Sequence, residues 1–177
     1  MDFKSHLSRG FTLVELLIVT IILAILASIV VPQFASTTDD AKLSALDSNL
    51  ASMRSAVDLY YQQHGHYPSA VAATGATCPG GGAAGSGAAD SAAAFVSQLS
   101  RYSNSAGQTC TTTDATFKFG PYLKKDTLPN NPLTDNNTLV ISTTGALGMT
   151  GNASAAGWKF DNVTGQFIAD DASNDER

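Results

Sequence analysis

The sequence predicts an α+β chain in which a long N-terminal helix, membrane-spanning in its first half, packs by its second half on a small antiparallel β-sheet. Three observations carry this: an apolar run from Phe11 to Phe34, a helical spacing of apolar residues from Leu43 to Tyr60, and alternating segments near the C-terminus. At 177 residues there is room for one ordinary domain plus an appendage, and not for two sizeable cores. A formal charge of -5, with ten Lys and Arg spread thinly, leaves no basic face for a run of phosphates, so nucleic acid is excluded as a main partner. Mean hydropathy is close to zero only because an intensely apolar start is averaged with a remainder rich in Gly, Ala, Ser, Thr and Asn.

Residues 1–10 are polar and carry the cations Lys4 and Arg9, whereas Leu16 to Thr38 contains no charge. About twenty apolar residues rising ~1.5 Å each cross a hydrocarbon core of ~30 Å, and the positive flank sets the N-terminus in the cytoplasm. An ordinary secretory signal fits poorly. Its apolar region is about 7 to 15 residues and ends at small residues, while this run is longer and its boundary is Arg9-Gly10-Phe11.

Glu15 stands inside the run. Fifteen Leu, Ile, Val and Phe between Phe11 and Val31 contribute roughly -0.3 to -0.6 kcal/mol each to insertion, against about +2.5 kcal/mol for a central acid. Insertion survives, but a carboxylate in an apolar medium needs a partner or a purpose. Cutting the chain between Gly10 and Phe11 creates an α-amine at the depth of Glu15, which a neighbouring subunit can supply; the alternative is that Glu15 reaches water at the headgroups.

The leader ending in Gly10, the stretch Phe11-Thr12-Leu13-Val14-Glu15-Leu16-Leu17 and the aliphatic run with Pro32 resemble the prepilin signature of type IV pilins and type II secretion pseudopilins. The resemblance implies a pilin fold and a division into a leader over 1–10, a transmembrane and polymerisation helix over 11–34 and a periplasmic or extracellular domain over 35–177. It further implies that a prepilin peptidase cuts Gly10-Phe11 and methylates the amine of Phe11, and that Glu15 recruits and registers subunits. The implied protein is no enzyme but a structural subunit of a type II secretion pseudopilus or type IV pilus. Its implied partners are copies of itself, the peptidase, an inner-membrane assembly platform and minor subunits. It would be single-pass in the inner membrane before assembly, and part of a periplasmic or surface filament afterwards. A membrane-anchored binding domain that never polymerises is the alternative.

Pro32 removes one helical hydrogen bond and crowds the carbonyl of Ser28, so a kink or local melting is expected. Beyond it Leu43, Leu46, Leu50, Met53, Val57 and Tyr60 mark one helix face, with Asp39, Asp40, Lys42, Asp47, Arg54 and Asp58 elsewhere. A coiled-coil seam is the rival, but the stretch is short and lacks flanking charge pairs. Gly65 ends the helix, giving one interrupted helix from Phe11 to His64 of about 80 Å. Tyr60-Tyr61 with Gly65-His66-Tyr67-Pro68 resembles the helix exit common in major pseudopilins and related pilins; physically, Pro68 bars renewed helix and Tyr67 is placed to cover the end of the core. His64 and His66, with no acid or thiol nearby in sequence, read as a solvated helix-end pair and not a metal site.

Ala72 to Ala89, rich in Gly and Ala, reads as a surface loop. Asp90 to Tyr102 reads as a short helix capped by Asp90, with Phe95, Leu99 and Tyr102 on one side. Cys78 and Cys110 are the only cysteines. Export to an oxidising compartment favours their pairing over two free thiols, and closing that loop contributes about 3 to 4 kcal/mol. Gly120-Pro121-Tyr122-Leu123-Lys124-Lys125 and Leu128-Pro129-Asn130-Asn131-Pro132 resemble the segment before the sheet of the major pseudopilin. Strands are predicted at Leu139–Thr143, Gly157–Asp161 and Gly165–Ala169, the last two as a hairpin, with Ile141, Trp158, Phe160 and Phe167 facing the helix.

Gly80-Gly81-Gly82 lacks the Lys-Ser or Lys-Thr of a phosphate loop, and no zinc spacing or nucleophile elbow occurs. No cofactor is called for. Asp135-Asn136-Asn137 and Asp170-Asp171 with Asn174 and Asp175 offer oxygens for calcium, yet a solvated turn and a frayed tail account for them as well.

Overall fold

The computed structural model describes residues 10–152 and 156–176. The leader with Lys4 and Arg9 lies outside them, apart from Gly10. Packing divides the chain into two units, Met1–Ala41 and Lys42–Arg177. Helix α1, Leu13–His64, contributes to both.

In the first unit α1 is exposed throughout its described residues. It is continuous through Pro32, so the expected melting does not occur. One missing N–H leaves the flanking helical bonds intact. Four hydroxyls along this stretch are satisfied internally: Thr20 and Ser28 donate to the carbonyls of Leu17 (2.9 Å) and Ile25 (2.7 Å), and Thr37 and Thr38 to those of Gln33 (2.9 Å) and Phe34 (2.8 Å). Bonded back this way, they need nothing from an apolar medium.

In the second unit the predicted helix face is the core. Leu46, Leu50, Met53, Val57 and Tyr60 are buried, with Leu43 half-buried at the edge. They pack with Phe95, Leu99, Trp158, Phe160 and Phe167, each such side chain contributing roughly 1.5 to 3 kcal/mol by leaving water. Arg54 Nε donates to the Phe167 carbonyl at 3.0 Å, and Asn49 Nδ2 to that of Asn130 at 3.4 Å. At Gly65 (φ 74°) the chain turns left-handed, its N–H donating to Tyr61 at 2.8 Å. Tyr67 then stacks on Tyr61 (4.3 Å) and meets Phe160 edge-on, covering the core as predicted.

Helix α2 spans Ala92–Ser100, and its cap is Ser91, whose hydroxyl accepts from Ala94 N–H at 3.1 Å. Asp90 is not the cap: it sits at φ 61° and accepts from Asn162 Nδ2 at 2.7 Å. Phe95 and Leu99 are buried, but Tyr102 has left the helix for β1 (Tyr102–Ser103), which pairs antiparallel with β2 (Thr109–Cys110). The Gly-Ala loop is anchored on β2, with Gly85 N–H donating to Thr109 and Thr111 N–H to Ala83, and the Cys78–Cys110 disulfide closes it.

Strands β3 (Leu139–Ser142), β4 (Trp158–Asp161) and β5 (Phe167–Ala169) form one sheet in that order. β4 and β5 make the predicted antiparallel hairpin, but β3 runs parallel to β4, which corrects the wholly antiparallel expectation. The long connection between Ser142 and Trp158 permits the crossover a parallel pair needs. Trp158 Nε1 donates to the Pro129 carbonyl at 2.8 Å and Asn131 Nδ2 to that of Gly157 at 2.9 Å, fixing the 128–132 segment to the sheet.

Candidate functional site

Gly10 and Phe11 precede α1, and both are exposed. A Cβ on Gly10 would meet nothing within 4 Å, so the fold does not require glycine there. One turn on, Thr12 and Glu15 form a reciprocal cap. Thr12 N–H and Oγ1 donate to Glu15 Oε2 at 2.9 and 2.6 Å, and Glu15 N–H donates to Thr12 Oγ1 at 3.3 Å. This is a capping box, Thr-x-x-Glu at the mouth of an apolar helix. Sequence reasoning passed over it while treating Glu15 only as a charge; the signal, Ser or Thr three residues before an acid, was present. Thr12 brings dipoles and no countercharge, so the carboxylate keeps a charge to offer. Phe11, Leu13, Val14, Leu16 and Leu17 around it are all exposed. Among the described residues, α1 is the one helix long and apolar enough to cross a membrane.

The histidines at the helix exit are not a solvated pair. His64 is half-buried and stacks flat on Tyr60 at 3.9 Å. Its Nδ1 donates to the Tyr60 carbonyl and its Nε2 accepts from Ser103 Oγ, both at 3.0 Å. Burial lowers its pKa, with the Tyr60 carbonyl pulling the other way. Among the described residues no group of three His, Cys, Asp or Glu is placed to hold a metal. The acidic C-terminal cluster is not a frayed tail: Asp170 is buried and accepts from Asn152 N–H at 2.7 Å, and Asp175 accepts from Gly151 N–H at 2.8 Å. In the other cluster Asp135 accepts from Asn130 Nδ2 at 3.0 Å.

Sequence reasoning also missed Asp161, which is fully buried. Its Oδ1 accepts from the N–H groups of Val163 (2.9 Å) and Thr164 (3.0 Å). Its Oδ2 accepts from Ser142 Oγ, Thr144 Oγ1 and Gly145 N–H at 3.0 to 3.1 Å. Burial pushes the carboxyl up, but these donors outweigh it and hold the pKa at about 2. The residue joins the hairpin turn at 163–164 to the loop at 142–145.

Residues 6–31 match the prokaryotic N-terminal methylation motif. Type II secretion system core protein G of Pseudomonas aeruginosa is 42% identical over 60 residues, 34% of this chain and 42% of that protein. A fimbrial protein of Neisseria meningitidis is 41% identical over 63 residues, 36% of this chain and 37% of that one. The major component of the type IV narrow pilus of Thermus thermophilus is 47% identical over 49 residues, 28% and 42%. The chain thus spans less than half the length of these relatives, and no solved structure matches it. These relatives are named as secretion and pilus components, not as enzymes. Motif and relatives point the same way: the chain is similar, over little more than a third of its length, to proteins named as type II secretion and type IV pilus components.

Proposed function

We propose that this chain is the structural subunit of a type IV-like filament, cut between Gly10 and Phe11, methylated on the Phe11 amine and polymerised through its N-terminal helix. The observation that carries the reading is the apolar first half of α1, exposed at every described residue, whose first turn holds a single carboxylate, Glu15. So much apolar surface requires an apolar surrounding. Lipid supplies it before assembly and sister helices afterwards, so polymerisation exchanges one apolar solvent for another. The amine of Phe11 on an adjoining subunit then compensates Glu15, where an unpaired charge would be costly.

Gly10 serves recognition by the peptidase, since nothing in the fold needs it. The remaining partners are an inner-membrane assembly platform and minor subunits, and the chain crosses the inner membrane once before it is extracted into a periplasmic or surface filament. The segments Gly65–Pro68 and Gly120–Pro132 favour a secretion pseudopilus over a pilus. No cofactor takes part, and calcium titrated into the purified chain is expected to give no binding heat. Mass spectrometry of the mature protein tests the reading, together with electron microscopy of its filaments. A chain beginning with methylated Phe11, and loss of filaments in Glu15→Ala, are expected; an intact Met1 in the mature protein, or unimpaired filaments from the variant, refutes it.

A further inference from the structure

The three-stranded sheet has two outer strands, β3 and β5, each paired on one side only. At the N-terminal end of β3 two adjoining cavities of about 460 and 500 Å³ share Thr127, Leu128 and Asn137; the first reaches β3 itself at Leu139, and the second is walled by the 123–130 segment just before it. Three cations line them, Arg101, Lys124 and Lys125, against one carboxylate, Asp126. Lys124 and Lys125 are exposed and meet no carboxylate among the described residues. Beside β5 lies a groove of about 400 Å³ with the opposite balance, Asp58, Asp175 and Glu176 against Arg54. On a chain of net charge -5, a cationic patch is the exception and calls for an acidic partner. The cavity that reaches β3 also has a buried hydroxyl in its wall, Ser100 Oγ, with no hydrogen-bond partner among the described residues.

We propose that the cationic pair of cavities at the start of β3 and the acidic β5 edge are the halves of one contact between copies of this chain, the first receiving the second from the next copy. This rests on the filament reading and adds which surfaces of the second unit touch. Two different complementary patches on one chain make a heterologous contact, and a heterologous contact whose rotation does not close builds an open helix. A second copy is favoured over an unrelated acidic protein because the complementary charge stands on this same unit, at the sheet's other edge. Attraction between exposed charges orients the approach and weakens with salt.

The test uses the full-length chain assembling in cells and in detergent-extracted form. Lys124→Glu with Lys125→Glu places like charges against each other and is expected to lower the polymerised fraction by about tenfold. Adding Asp58→Lys and Glu176→Lys to the same chain reverses both edges and is expected to restore polymer. A photoreactive side chain at Thr127 is expected to crosslink to residues 166–176 of a second copy. Parent filaments with a double reversal that assembles normally, a swapped chain that stays unassembled, or adducts mapping elsewhere overturn the contact while leaving the filament reading standing. A parent chain that forms no filaments overturns both.

Discussion

Glu15 has two separable roles, because one carboxylate both caps a helix and carries a charge. Glu15→Gln keeps a side-chain acceptor for the Thr12 N–H and removes the charge, whereas Thr12→Val removes the hydroxyl and keeps the charge. If the charge recruits the neighbour, Glu15→Gln stops polymerisation and Thr12→Val only frays the first turn, a loss of about 1 kcal/mol. Filament yield from the two variants, compared by sedimentation, decides between them. Asp161 gives the second prediction at this scale. Asparagine turns a donor toward the cluster of donors that the carboxylate now accepts from, and costs on the order of 3 kcal/mol in urea unfolding. Its folded pKa of about 2 lies below the ordinary 3.8, so its contribution is complete above pH 4 and is lost as pH falls toward 2. Asp161→Asn flattens stability across that window. Neither Asp161 nor the Thr12 cap was read from the sequence, since a carboxylate's role depends on which amides the fold brings to it.

At the scale of elements, α1 was legible because its signals are periodic and long: the residues Leu46 to Tyr60 that define the spacing are the residues found buried. The hairpin was legible for the same reason, its alternation being local. Hidden elements depend on distant partners. β1 and β2 are two residues each and exist because the Gly-Ala loop lies along Cys110, and the direction of β3 is set by a connection rather than by its own residues. The helix exit belongs to this class as well, since Ser103, 39 residues from His64, partners its ring and helps to half-bury it. Because His64 is easier to protonate when unfolded, stability is complete above its ordinary value near 6.5 and declines as pH falls below it. His64→Gln removes that decline, as melting of the detergent-solubilised chain from pH 7.5 to 5 will record.

For the whole molecule, the division of composition announced two units, and the boundary at Ala41 and Lys42 falls inside a continuous helix where no break in sequence marks it. What sets the boundary is the first contact with a core, not any property of the helix. Residues 42–177 contain the entire core cluster, with the disulfide, and a chain starting at Lys42 is expected to fold alone and remain soluble without detergent. Its melting temperature, compared with that of the full chain, checks this: a midpoint within a few degrees is expected, because the described residues among those removed are all exposed. The partition of charge between opposite sheet edges was not legible, since Lys124 and Lys125 lie far in sequence from the acids they oppose, and only the strand order separates them.

The bond from Arg54 to the Phe167 carbonyl bears on mechanics. A tensile load entering along α1 must leave it through the interface with the sheet, and there the Arg54 guanidinium joins a parallel set of side chains from Leu46 to Tyr60 that slide or hold together. Loaded in this shearing direction, all of them resist at once, whereas a load prising the hairpin outward would break them singly. Arg54→Met is therefore predicted to lower the rupture force along the helix more than it lowers equilibrium stability.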